Sequence, residues 1–319
     1  MSAYVIRRIL IAIPSLFGIS IVLFTVLALA PGDPFGELAT NPNVPPEVRA
    51  HLREQFGMDD PIVTRYFRWF WAMLQGDWGF SFVSRVDVDT LILQRLPTTL
   101  VVIGLSQLLA LLIALPVGVI AATRPYSIFD QLANTLAFIG FSLPTFFTGI
   151  LFILVFSIQL EWLPFVYRSD ISETGWRWWW EHFRQSIMPI MVLGLFQAAS
   201  WTRYVRSAVL DVIRLDHVTT ARSKGMAERW VVMKHVVRNA LIPVVTLIGL
   251  QAPLLIGGAV IIEQIFVIPG MGLMLLEAVN QRDYPVITGV FLVVGLAVML
   301  INLVVDLSYG LLDPRVRRQ

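Results

Sequence analysis

The stretch LPTTLVVIGLSQLLALLIALPVGVIAAT, residues 96–123, contains no Asp, Glu, Lys or Arg. Because an α-helix rises about 1.5 Å per residue, this stretch is long enough to cross the roughly 30 Å hydrocarbon core of a bilayer. Membrane-spanning β-strands are about 10 residues long and alternate in polarity. This stretch is longer and shows no such alternation. It therefore predicts a membrane-spanning α-helix.

Five further runs of the chain are uncharged and close to spanning length: residues 9–32, 131–160, 185–202, 239–262 and 284–305. The 319 residues are 56% hydrophobic and only 14% charged, unlike a soluble domain. The first run is longer than the apolar core of a signal peptide, about 7 to 15 residues, so we expect it to be retained as a span. The prediction is an all-α integral membrane protein with six transmembrane helices.

The distribution of positive charge predicts the orientation of these spans. Six spans place both termini on one side of the membrane, and most of the 24 lysines and arginines fall on that side. The positive-inside rule therefore predicts that both termini are cytoplasmic. The sequence contains no cysteine, which excludes disulfides, thiolate chemistry and zinc sites built on cysteine.

A basic stretch, DHVTTARSKGMAERWVVMKHVVRNALIP, residues 216–243, lies between the fourth and fifth runs. Apolar residues recur at three- and four-residue spacing from Trp230 through Met233 and Val236 to Ala240, which predicts an amphipathic helix on the inner membrane surface. A less regular helix is expected over residues 211–224. Gly225 then supplies the left-handed conformation that ends a helix.

Within this stretch the order Thr219, Thr220, Ala221 and Gly225 resembles the cytoplasmic "EAA...G" loop of ABC importer permeases. Threonines replace the glutamate and the first alanine of that motif, and Arg238 stands where the family has a proline. The resemblance implies that residues 203–238 form the loop that docks into an ATPase subunit. The implied contact residues are Asp216, Thr219, Thr220, Ala221, Lys224 and Gly225.

Motifs along nearly the whole chain are similar to those of one branch of that family, the first (B-type) permease of dipeptide and oligopeptide ABC importers. They are LAPGDP (29–34), FGMDDP (56–61), GDWGFS (76–81), RLPTTL (95–100), SLPTFF (142–147), PGMG (269–272), RDYPVI (282–287) and DLSYGLLDPRVR (306–317). The resemblance implies a type I ABC importer-like permease fold in a bacterial plasma (inner) membrane. It also implies an N-terminal span with an external segment over residues 1–95 and a permease core over 96–319.

The same resemblance implies several partners: a second homologous permease, two ATPase subunits, an external solute-binding protein and a peptide substrate. The sequence has no G-x-x-x-x-G-K-[ST] loop, so we expect ATP and magnesium to be bound by partner subunits, and no cofactor or enzyme activity in this chain. The positive-inside rule accounts for where the basic residues lie, so no nucleic-acid partner is expected. Nickel, glutathione and oligosaccharides are alternative substrates, and a self-sufficient secondary transporter or channel is the alternative class.

Polar residues inside the apolar runs have two interpretations. Gln107, Gln197 and Gln251 are candidates for lining the substrate path, or they form interhelical hydrogen bonds worth about 0.6 kcal/mol each. Pro144, following Gly140 and Ser142, predicts a kink in the third span. Tyr66, Trp69, Phe70 and Trp78, and the aromatic stretch 176–183, are expected at the membrane interface. Residues 264–276 are expected to form an external turn with a surface or re-entrant helix.

Overall fold

A computed structural model describes residues 2–29, 60–81, 83–168 and 174–312, without the side chains of residues 2–9, 252–258 and 309–312. The chain forms two compact units. Most of the first unit comes from Thr98–Leu273, and most of the second from Ile6–Pro97 with Met274–Met299. The predicted division at residue 95 stays a prediction. The motifs at 29–34 and 56–61 lie largely outside the described residues, and the motif at 306–317 is described only to residue 312.

The described residues are almost entirely helical. In chain order the helices are α1 (Ser2–Leu29), α2 (Ile62–Leu74), α3 (Val88–Thr123), α4 (Ile128–Ser142), α5 (Thr145–Phe152), α6 (Trp176–Ile213), α7 (Asp216–Ser223), α8 (Glu228–Trp230), α9 (Arg238–Ile265), α10 (Met271–Gln281) and α11 (Tyr284–Leu312). Wider π-helical turns continue α5 over Ile153–Gln159 and join α8 to α9 over Val231–Val237. Two short strands, β1 (Phe80–Ser81) and β2 (Val86–Asp87), pair antiparallel before α3.

Four helical segments are long and apolar enough to cross a membrane: Leu10–Leu29, Val88–Thr123, Glu228–Gln251 and Tyr284–Ser308. A fifth is added if Ile128–Ser142 and Thr145–Gln159 count as one span, bent by 97°. This bend confirms the predicted kink, because it lies at Leu143 and Pro144. The predicted fourth span lies within α6, which is not counted among these segments, so the number of six spans stays a prediction.

In the second unit, α1 and α2 are held together by aromatic packing. The Ser20 and Tyr66 hydroxyls are 2.8 Å apart, and Tyr66 is 7% exposed. Phe17 packs edge-on against Phe70, and the ring of Phe24 stacks on Trp69. The expectation that Tyr66 lies in an interfacial belt stays a prediction. Its ring fills the contact between two helices, and sequence spacing alone does not distinguish that use of an aromatic residue.

In the first unit, α3 and α6 lie side by side because glycines allow close approach. A Cβ atom on Gly194 would lie 3.0 Å from the Ser106 carbonyl oxygen, and one on Gly118 would lie 2.7 Å from Val205. These two contacts fix the register, with residue 106 level with 194 and residue 118 level with 205. The two helices therefore run parallel.

The first half of the bent span, α4, is held against α6 by a buried ion pair. Arg206 donates from Nε to Oδ1 of Asp130 at 2.6 Å and from Nη2 to Oδ2 at 2.8 Å. The Asp130 carboxylate, 2% exposed, also accepts from the Tyr126 backbone N–H and from Nδ2 of Asn134. Ser127 caps the same helix by accepting from the Asp130 N–H. Four donors thus satisfy the buried charge.

Candidate functional site

The predicted coupling segment forms the short helix α7, which has one buried and one exposed face. Val218 is fully buried and Ala221 is 5% exposed. Both belong to a core cluster with residues from the ends of α3 and α6 and from the start of the helix that leads into α9. Thr219 and Thr220 are exposed on the opposite face. The packing therefore fixes α7 to the helices and leaves its polar face exposed.

Five of the six predicted contact residues are exposed: Asp216, Thr219, Thr220, Lys224 and Gly225. The sixth, Ala221, is packed into the chain's own core. Gly225 has φ +73°, which confirms the predicted left-handed conformation, and a Cβ atom there would meet nothing within 4 Å. A side chain at position 225 would therefore project from the surface next to α7.

The expected single helix over residues 211–224 is wrong. Helix α6 continues to Ile213, and α7 starts only at Asp216. The chain breaks because Leu215 adopts an extended conformation, with ψ 151°, as the N-cap of α7. This break lets Val218 and Ala221, three residues apart, share one buried face.

An exposed ion pair closes the turn after α7. Nη2 of Arg222 donates to Oε1 of Glu228 at 2.7 Å, with the two side chains 40% and 60% exposed. The hydrogen bond to Glu228 raises the pKa of Arg222 above its usual value, so Arg222 stays charged. Such an exposed pair contributes little to stability, and its effect is to orient the turn that carries Gly225.

The predicted helix from Trp230 is present and leads into the fifth uncharged run, while its place on the inner membrane surface stays a prediction. The helix runs without interruption from Glu228 through the π-helical turns into α9. Val231, Val236 and Ala240 are buried, whereas Trp230 and Met233 are 58% and 61% exposed. The buried positions are five and then four residues apart, because a π-helical turn holds more residues than an α-helical turn. We call this continuous helix, Glu228 to Ile265, the coupling rod.

At its other end the coupling rod carries a fully buried carboxylate, Glu263. Oε1 accepts a hydrogen bond from the Thr99 hydroxyl at 2.6 Å, and Oε2 accepts from the Leu273 backbone N–H at 2.9 Å. The Thr99 hydroxyl oxygen accepts in turn from the Met271 N–H at 2.8 Å. The first turn of α10, the helix expected after the fifth span, is thereby tied to the rod and to α3.

A second buried carboxylate, Asp283, lies in the second unit. It accepts a hydrogen bond from the Ser81 hydroxyl at 2.5 Å, and the two side chains are 6% and 0% exposed. Burial raises the pKa of Asp283, which hydrogen bonds from Ser81 and the Val286 backbone partly oppose. The motifs GDWGFS and RDYPVI are thus joined by a direct contact.

The three candidate path residues have different surroundings. Oε1 of Gln251 accepts from Nε1 of the fully buried Trp201 at 2.7 Å, so Gln251 joins two helices. Gln197 is buried, at 7% exposure. The side-chain amide of Gln107 is buried, and neither its nitrogen nor its oxygen has a hydrogen-bond partner among the described residues. The structure does not bring these three residues together at one described contact.

An arginine near the C-terminal end of α6 is also incompletely paired. The Nε atom of Arg203 is buried without a hydrogen-bond partner among the described residues, and its guanidinium lies 4.8 Å from the centre of the Phe141 ring. In the described ranges no group of three or more His, Asp or Glu side chains could hold a metal ion.

Sequence reasoning missed Glu263, Thr99 and Asp283, and only the last of these residues had a signal in the sequence. The glycines of PGMG gave no reason to expect a carboxylate, yet Gly270 and Gly272 both lie against Glu263. Asp283 directly precedes α11, where an acidic N-cap residue is typical. Both carboxylates lie at the borders of apolar runs, where a count of charges marks only the end of a span.

Comparison with known proteins identifies the family. Residues 114–318 match the family "Binding-protein-dependent transport system inner membrane component", and residues 1–103 match the N-terminal region of such membrane components. The oligopeptide transport system permease protein AppB of Bacillus subtilis (strain 168) is 41% identical over 317 residues, 99% of both chains. The glutathione transport system permease protein GsiC of Escherichia coli (strain K12) is 40% identical over 314 residues, 98% of both chains.

Solved structures agree on the fold. An inward-facing structure of the MetNI methionine ABC transporter matches with a TM-score of 0.54 and 19% identity, covering 70% of this chain and 96% of that chain. An amino acid ABC transporter matches with a TM-score of 0.52 and 13% identity, covering 72% and 97%. The expected type I permease fold and multi-pass membrane character are confirmed. The chain belongs to the family of binding-protein-dependent transport system inner membrane components.

Proposed function

We propose that this chain is a permease subunit of an ABC importer that moves peptides inward across a bacterial inner membrane. The observation that carries the proposal is α7, a helix with its apolar face anchored in the core and its polar face exposed. One of two ATPase subunits, which bind ATP and magnesium, docks on that face, and the other docks on the second permease. A second permease and an external solute-binding protein complete the importer, and both termini of this chain are cytoplasmic.

The mechanism follows from the way α7 is anchored. Its buried residues Val218 and Ala221 contact the ends of α3 and α6 and the start of the coupling rod, so a push on α7 acts on three helices at once. Closure of the ATPases supplies that push. The helices then change their packing together, because a close-packed core transmits strain rather than absorbing it.

The docking proposal is tested with one large residue placed on the exposed surface. Gly225→Trp projects an indole where the ATPase binds, and we expect ATP-driven peptide uptake in reconstituted liposomes to be lost while the chain remains inserted. Gly76→Trp is the matched control. Gly76 also follows a helix, has φ +92° and has nothing within 4 Å of a Cβ position, so the backbone strain is similar. Normal uptake by Gly225→Trp would exclude docking at α7.

Gln107 supports peptides as the substrate class. The close approach of Ser106 to Gly194 puts Gln107 level with the middle of the uncharged run 185–202. A buried amide without partners costs about 1 to 3 kcal/mol. A glutamine amide offers both a carbonyl acceptor and N–H donors, the same groups as a peptide unit. We propose that Gln107 binds the substrate backbone when the helices separate, which would tolerate any substrate side chain.

The role of Gln107 is tested with a substrate that lacks one backbone N–H. Uptake of a tripeptide is compared with uptake of its depsipeptide analogue, in which an ester replaces one amide. The wild-type protein should prefer the peptide about tenfold, the effect of one hydrogen bond, and Gln107→Met should remove that preference. An unchanged preference in Gln107→Met would show that Gln107 does not contact the backbone. Gln251→Met is the control, since Gln251 already has Trp201 as its partner.

A further inference from the structure

The surroundings of Glu263 are built to hold a carboxylate. A Cβ atom at Gly270 would overlap the Glu263 carboxylate, and one at Gly272 would lie 2.9 Å from Oε2. Any other residue at these two positions would occupy the space of the carboxylate. The turn PGMG therefore wraps its backbone around Glu263, and this requirement explains both glycines.

Hydrogen bonds then fix the turn to the carboxylate. The Leu273 N–H donates to Glu263 directly, and the Met271 N–H reaches it through the Thr99 hydroxyl. Both N–H groups belong to the first turn of α10, where a helix has unsatisfied donors and a positive dipole end. A buried carboxylate bound by such donors is costly to expose without them. The start of α10 is thus held by the Glu263 carboxyl group on the coupling rod.

The other end of the same rod contacts α7. Val231 and Val236 pack in one cluster with Val218 and Ala221 of α7. The rod continues as helix to Ile265, so Glu263 lies roughly 40 Å along the helix from Val236 at 1.5 Å per residue. All of these residues belong to the first compact unit.

We propose that Glu263 is a positioning residue for transport, which forces the first turn of α10 to follow the coupling rod when α7 moves. The inference rests on the proposed function, because α7 must be the site where ATP-driven force enters. Without the Glu263 carboxylate, the rod would still move with α7, but α10 would no longer follow. ATP hydrolysis would then continue without equivalent peptide transport.

The test uses the complete importer in liposomes, with the binding protein and a tripeptide. Glu263→Gln keeps the size of the side chain but loses the charge and one acceptor. We expect the number of peptides moved per ATP hydrolysed to fall about tenfold, the effect of losing a hydrogen bond to a charged group. Glu277→Gln is the matched control, because Glu277 is an exposed carboxylate on α10 itself and should leave the ratio unchanged.

Hydrogen exchange on the purified chain gives a readout that does not depend on transport. In Glu263→Gln, exchange at the first turn of α10 should rise about tenfold, while exchange across α7 stays the same. Thr99→Val, which removes only the bridging hydroxyl, should produce the same local change. Wild-type exchange at α10 in both variants, or an unchanged ratio of peptide to ATP, would overturn the role of Glu263. Absence of ATP-dependent uptake by the wild-type importer would instead refute the proposed function.

Discussion

Removal of Arg206 tests how strongly α4 is held against α6. The substitution Arg206→Met keeps most of the side-chain volume and deletes the two charged hydrogen bonds to Asp130, at 2.6 and 2.8 Å. The Asp130 carboxylate, 2% exposed, would stay buried without its cation. Its two other donors, the Tyr126 N–H and the Asn134 amide, carry no charge to replace the guanidinium.

The expected size follows from the burial. Breaking one partner of a buried ion pair costs about 3 to 5 kcal/mol, most of it the penalty of an uncompensated charge. At about 2 to 4 °C per kcal/mol, the melting temperature should fall by roughly 10 °C. The double variant Asp130→Asn with Arg206→Met removes the stranded charge, so it should recover much of this loss.

The assay is thermal unfolding of the purified protein in detergent, followed by circular dichroism. Arg222→Met is the matched control, because it breaks an ion pair of similar length, 2.7 Å, whose side chains are 40% and 60% exposed. Its effect should be about 0 to 1 kcal/mol. Equal shifts for Arg206→Met and Arg222→Met would refute the reasoning, since burial would then make no difference. A double variant no more stable than Arg206→Met would refute the stranded-charge explanation.

Burial raises the pKa of Asp283, so the native state holds its proton more tightly and loses stability as pH rises from about 4 through the raised pKa. Asp283→Asn should remove this pH dependence of the melting temperature, and an unchanged profile would contradict it. Gly118→Leu should prevent α3 from packing on Val205 and reduce the yield of folded protein, whereas Gly104→Leu on the same helix meets nothing within 4 Å and should be neutral. Size-exclusion profiles of the two variants decide this. Deleting Met233 should convert the π-helical turns into an α-helix and be tolerated, whereas deleting Leu250 should rotate Glu263 out of its pocket and abolish peptide uptake.

Features that depend on local sequence were predictable. Charge-free runs located most of the long helices, since the cost of placing charge in a bilayer acts on each segment separately. Pro144 predicted the kink, observed as a bend of 97°. This effect is also local, because a proline removes a hydrogen bond from its own helix. Gly225 predicted the end of α7, because the left-handed conformation depends on that one residue.

Contacts between distant segments were not predictable. Nothing near Glu263 in the sequence indicates Thr99, which is 164 residues away, and nothing near Ser81 indicates Asp283, 202 residues away. The path residues show the same limit. Gln251 and Gln107 look equivalent in the sequence, yet Gln251 has Trp201 as a partner and Gln107 has none among the described residues. Only the packing of helices separates an interhelical bond from an amide left for another partner.

The coupling rod shows how a local change of helix type alters which residues of an apolar stripe pack inside the chain. The spacing of Trp230, Met233 and Val236 assumes 3.6 residues per turn, but the turns over Val231–Val237 are π-helical. One extra residue rotates the apolar stripe by about 100°, so Val231 and Val236 become the buried pair and Trp230 faces outward. The wider turns occur where the rod meets α7. They turn Val231 toward α7, whereas in a regular α-helix a different residue would face α7 at this point. The departure from periodicity therefore lies at the contact through which α7 would move the rod.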